Sequence, residues 1–162
     1  MNKLSYIAGA ALVSVVAGSA DAQLVASKDL SVTMAVTIAQ TAVETCKSQG
    51  YNVSAHVLGR GGEVLVAMRG DDTGPHTFEN SMKKAWTARA QRAPSLNFAN
   101  AVKQNPTAGA IHLTNMVPAQ GGLPIMVGMD AIGAVGVSGA PGGDKDEACA
   151  KAGIDKVAAL LK

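Results

Sequence analysis

The chain has 162 residues, 48% apolar and 16% charged, with a formal net charge of +2 at pH 7. That composition supplies one buried core and excludes a disordered chain. A charge so near neutral leaves no electrostatic footprint for nucleic acid or an anionic membrane.

The first residues read as an export signal. Lys3 gives a positive start, Ile7 to Ala17 an apolar stretch, and Ala20, Asp21 and Ala22 a cleavage site of small-residue type. Residues 1–22 are therefore expected to be a signal peptide and residues 23–162 a single domain, periplasmic or secreted. The apolar stretch is shorter than the roughly 20 residues of a stable span, and no later segment is long and apolar enough to cross a bilayer. Removing it takes away Lys3 and Asp21 together, so the net charge is unchanged.

After Gln23, Ser27 is placed to cap a helix running to about Ser48, with Leu30, Met34, Ile38, Ala42 and Cys46 on one face. Gly50 ends it. Residues 52–58 and 63–69 form a predicted hairpin around Gly59, Arg60, Gly61 and Gly62. A loop from Gly70 to His76 leads to a helix expected from the N-cap Thr77 to about Ala93, whose small residues Ser81, Ala85 and Ala88 would let it lie close to a sheet. Pro94 interrupts, and a short helix covers 95–103. Three further strands are expected: a short edge strand at 114–118, then 122–127 and 131–137. Asp144 and Glu147 have capping-box spacing before a last helix at 145–161. Hairpin-linked strands with helices elsewhere imply an α+β domain with an antiparallel sheet.

Cys46 and Cys149 fall in predicted helices near opposite ends of the mature chain. In an exported protein a disulfide between them would persist. It would close a loop of about 100 residues, worth on the order of 4 kcal/mol on chain-entropy grounds. Two buried free thiols are the alternative, and sequence spacing does not choose between them.

Among groups that carry chemistry, His76 stands out: a loop histidine before a helix can ligate a metal or a haem iron through one ring nitrogen. The plainer reading is a surface histidine that organises its loop. His56 alternates within a strand and His112 lies in a loop, neither with a partner at zinc-site spacing. The run from Ser138 to Asp144 reads as an anion cradle at a helix start, or more simply as a loop whose Asp144 already caps the helix. Gly133 to Gly139 lacks the glycine order of a dinucleotide fold. The methionines are scattered and suit core filling, with Met68 and Met116 as possible contacts for an apolar cofactor. Lys83, Lys84, Arg89 and Arg92 read mostly as a solvated helix face. No Ser-His-Asp group or catalytic cysteine pattern assembles, so hydrolase chemistry has no support.

Several runs stand together: Gly61 and Gly62 in a strand turn closing on Met68 and Arg69, then Lys84-Ala85-Trp86-Thr87-Ala88. Later come Gly121 to Ile125, Ile132 to Gly139 and Asp146 to Gly153. In this order they resemble the GlcG/HbpS family of haem-binding proteins, a domain also found at the C-terminus of PduO-type corrinoid adenosyltransferases. The resemblance implies a profilin-like domain, a five-stranded antiparallel sheet flanked by helices, assembled into homo-oligomers. It also implies haem or a related tetrapyrrole as ligand for some members. On this chain it makes His76 the candidate iron ligand, with Arg69 and Lys84 as partners for acidic groups such as a haem propionate. Gly122 and Ser138, within the matching runs, complete the candidate cofactor-binding set. The function so implied is an exported haem-binding protein for storage, trafficking or sensing. Two rivals are weighed beside it. One is an enzyme or accessory protein holding a small oxo- or hydroxy-acid in the same pocket through Arg69 or Lys84; the other is a purely structural oligomeric partner.

Overall fold

The computed structural model describes residues 25–162; the expected signal peptide, residues 1–22, lies outside them. Four helices and four strands follow in the order α1 (Val32–Ser48), β1 (Ser54–Leu58), β2 (Val64–Arg69), α2 (Pro75–Gln91), α3 (Ser95–Gln104), β3 (Gly122–Val127), β4 (Asp130–Ser138) and α4 (Gly143–Val157). Short 3-10 turns occupy Gly109–His112 and Ala158–Leu160. No helix among the described residues is long and apolar enough to cross a membrane.

The sheet runs β2-β1-β4-β3, with every neighbour antiparallel. Its strands match the predicted hairpins, and an α+β class holds. The expected fifth strand at 114–118 does not form. There the Val117 N–H is bonded by the Thr87 hydroxyl of α2 at 3.0 Å, and Pro118 has no N–H to offer a ladder. The sheet therefore has four strands, and β3, carrying Pro124, is one of its edges.

Side chains alternate across the central strands, and the two faces differ in character. Ala55, Val57, Val135 and Val137 point to one face, where Ile38, Ala39 and Ala42 of α1 and Ala150 and Val157 of α4 complete the main apolar cluster. The other face presents Ser54, His56, Gly136 and Ser138, brought side by side by the β1–β4 register, and α2 lies on it. Gly136 makes that approach possible: a Cβ there would strike the Ser81 carbonyl and the Ala85 backbone. The small-residue stripe of α2 is thus matched by a strand glycine.

Helix ends depart from the expected caps for local reasons. Ser31, not Ser27, caps α1 by accepting the Met34 N–H at 3.3 Å, while the Ser27 hydroxyl turns to Asp29. Helix α2 starts two residues early because Pro75 suits a first helical position. Thr77 then lies inside the first turn, its hydroxyl donating to the Gly74 carbonyl at 2.8 Å. The capping box at α4 does not form; Gly142 is the cap residue, and Asp144 and Asp146 oppose the helix dipole in the first turn. Across the apolar layer, Cys46 of α1 and Cys149 of α4 form a disulfide with Cα atoms 5.6 Å apart, both residues fully buried.

Candidate functional site

Helix α2 carries His76 and Lys84, and its sheet-facing side is a seam of hydrogen bonds. Thr77 Oγ1 and Ser54 Oγ lie 2.9 Å apart, Ser81 Oγ and His56 Nδ1 2.8 Å apart, and Asn80 Nδ2 donates to Ser138 Oγ at 2.9 Å. At the end of the seam Lys84 Nζ meets Asp146 Oδ2 at 2.7 Å and donates to the Val137 carbonyl at 3.0 Å. Asp146 in turn accepts the Ala140 N–H through Oδ1 at 3.0 Å. Burial pushes the Asp146 carboxyl upward more than the Lys84 ammonium pulls it down. Three helical and strand elements meet at this one ion pair.

The predicted site residues divide into two groups. Lys84, Gly122 and Ser138 sit inside the seam. The Lys84 side chain is only 4% exposed and already committed to Asp146 and Val137. The Gly122 N–H is bonded to Ser95 Oγ at 2.9 Å, and a Cβ at 122 would run into the Lys84 carbonyl, so this glycine serves the approach of β3 to α2. Ser138 is covered by Asn80. Arg69 and His76, by contrast, are exposed, on either side of the loop at Gly74. The Arg69 guanidinium reaches Thr73 Oγ1 at 3.3 Å and the Gly74 carbonyl at 3.4 Å, and lies 5.9 Å over the Phe78 ring.

His76 opens a groove of about 280 Å³ lined also by Glu79, Asn80, Lys83 and Val117. Its ring folds back on the loop, so a Cβ at Gly74 would lie 2.8 Å from His76 Cε1. Lys83 pairs with Glu79 at 2.5 Å across one helical turn. Sequence reasoning missed Asn80, Lys83 and Val117 as site residues. The signal for the first two was present: they follow His76 at four and seven residues, one face of a helix. Val117 arrives from a distant loop, and nothing local announces it.

The remaining motifs are accounted for structurally. In the loop from Ser138 to Asp144, the Ala140 N–H is taken by Asp146, which removes one donor from an anion cradle and agrees with the plainer reading of this run as a loop. Met116 is buried, and Met68 packs against the apolar cluster. No group of three metal-binding side chains occurs among the described residues.

These features define a class: a two-faced α+β domain whose exposed chemistry lies along one helix. The family model described as "Haem degrading protein HbpS-like" matches residues 30–155, and the chain belongs to that family. It is similar to the protein GlcG of Escherichia coli K12, 35% identical over 111 residues that span 67% of this chain and 81% of that one. Among solved structures, a double mutant of Streptomyces reticuli HbpS superposes with a TM-score of 0.78 at 34% identity, covering 92% of this chain and 99% of that one. The PduOC:haem complex has the same fold, with a TM-score of 0.71 at 23% identity over 78% of this chain and 93% of that one.

Proposed function

We propose that this protein is an exported haem-binding domain that stores, moves or senses a tetrapyrrole, with His76 as an iron ligand. The observation that carries the reading is His76 itself, an exposed imidazole opening a groove shared with a cation, in a chain of the HbpS-like family. Bound haem would supply an iron centre able to take an imidazole nitrogen. Here Lys83, rather than the buried Lys84, is the helix cation available to a propionate, with Arg69 beyond the Gly74 loop. Val117 contributes an apolar wall.

A groove of about 280 Å³ falls just under the roughly 300–1,000 Å³ of small-molecule sites. A ligand as large as haem therefore needs a second surface over it, which fits assembly into homo-oligomers. Export is supported by the sequence of residues 1–22 and by the buried disulfide, which suits an oxidising compartment. The test is a haem titration of the chain beginning at Gln23, followed at the Soret band with light scattering for subunit number. Saturation at a defined stoichiometry, with the first equivalent's imidazole-type spectrum lost in His76→Ala, is the expected result. Unsaturable uptake, or an unchanged spectrum in the variant, refutes it.

The second reading, a small oxo- or hydroxy-acid held in the same groove, is favoured by its volume alone. It predicts saturable binding of such an acid without a chromophore.

A further inference from the structure

At one end of the apolar layer, where α1 and β2 both finish, lies a hollow separate from the His76 groove. It measures about 150 Å³ and shares no lining residue with that groove. Its floor is Val53, 1% exposed, with Val43 of α1 and Met68 of β2, both half-buried against the main apolar cluster. Tyr51 adds to its wall. An apolar hollow of this volume matches a body about the size of benzene, and a tetrapyrrole is far larger.

A charge pair stands at the mouth. Lys47 follows Val43 by one helical turn, so its stem runs over the floor and its ammonium sits at the rim. It meets Asp71 at 3.2 Å, with side chains 65% and 89% exposed. A pair so open to water contributes little and is readily exchanged for another anion. The neighbouring charges decide which partner is replaced. Arg69 also lines the hollow, but its guanidinium meets only the Thr73 hydroxyl, the Gly74 carbonyl and the Phe78 ring. Lys145 stands 5.6 Å over the Tyr51 ring. Neither forms an ion pair among the described residues. Against these three cations stand Asp71 and its loop neighbour Asp72, which leaves the rim positive.

We propose that this hollow binds a small monocarboxylate. Its hydrocarbon body, of about four to six carbons, rests on Val43, Val53 and Met68. Its carboxylate takes the place of Asp71 on Lys47. The volume sets the size of the ligand, and Lys47 sets its charge. The site owes nothing to the haem reading, and it holds its acid away from the His76 groove.

The test is a titration of the haem-free mature protein with pentanoate at neutral pH, followed by methyl and backbone NMR. Saturable shifts are expected at Val43, Val53 and Met68, and none at His76. Pentylammonium, of similar length and opposite charge, is expected to bind more weakly. Lys47→Gln should weaken pentanoate about 3–5-fold, the scale of one exposed charge pair, and Asp71→Asn should strengthen it by a similar factor. Val43→Phe fills the floor and should abolish the shifts. The two rim variants change exposed side chains, so they decide the matter even if Val43→Phe does not fold. The proposal is overturned if pentanoate does not saturate, if pentylammonium binds as tightly, or if both rim variants leave the affinity unchanged. Loss of binding in His76→Gln or Lys83→Gln also overturns it and returns the acid to the groove. Haem enters no arm of this test, so the haem reading stands or falls separately.

Discussion

Replacing Lys84 by methionine should be the most damaging single substitution on the α2 face at neutral pH, and the structure indicates by how much. Both partners of the Lys84–Asp146 pair have side chains 4% exposed. Methionine keeps the aliphatic stem, so little packing is lost, but it leaves the Asp146 carboxylate with only the Ala140 N–H. Breaking a buried pair from one side costs about 3–5 kcal/mol. For a domain of this size that corresponds to a fall in Tm of roughly 10–15 °C, at about 3 °C per kcal/mol. The pH dependence carries a definite sign. Asp146 titrates above an ordinary aspartate in the folded protein, so the unfolded chain releases that proton first as pH rises. Stability associated with this carboxyl is complete below the unfolded value and is lost as pH climbs through the folded one. Without Lys84 the folded value rises further, so the variant's deficit should shrink on acidification. Urea unfolding of wild type, Lys84→Met, Asp146→Asn and the double variant, each at several pH values, measures the coupling. A Lys84→Met deficit below about 1 kcal/mol at pH 7, or one that grows as the pH falls, refutes the reasoning.

Gly74→Ala should leave the fold intact, because the Gly74 backbone lies outside the left-handed region, but its Cβ displaces the His76 ring. The expected readout is a changed imidazole environment by NMR at unchanged Tm, and an unmoved His76 spectrum counts against this packing. Replacing Cys46 and Cys149 by serine should cost about 4–5 kcal/mol, since the bridge spans 103 residues; equilibrium unfolding with and without reductant checks it. His56 binds its proton more weakly folded than unfolded, with its pKa near 4 against 6.5. Its contribution to stability should therefore be complete above pH 6.5, decline as pH falls toward about 4 and level off below, and His56→Gln should flatten that limb of the curve.

The strands were legible because alternation and glycine turns are local signals: Gly122–Val127 coincides with its expected span, and Val64–Arg69 with all but one residue. The 114–118 segment misled because a short run such as Met116-Val117 beside a predicted sheet has the same local pattern whether it pairs or not. What decides is the Thr87 hydroxyl on another helix. Lys83 and Lys84 show the same limit. They are adjacent in sequence, one on the groove and one under it, and only helix α4, more than 60 residues later, says which is which. His76 was singled out because a lone histidine beside a proline is visible in one dimension. The burial of His56 had no signal in one dimension, because Ser81 and Phe78 reach it only from α2 across the sheet.

The unlike faces of the sheet carry a dynamic consequence. One layer is apolar and covalently tied from α1 to α4, while the other is docked mainly through directional polar contacts. Directional bonds can be exchanged with water one at a time, whereas apolar packing and a crosslink cannot. The two layers should therefore open at different free energies, with amides of α2 exchanging with solvent through a partial opening that leaves α1, α4 and the central strands protected. Helix α2 would then be the part of the molecule that yields first, without the domain unfolding.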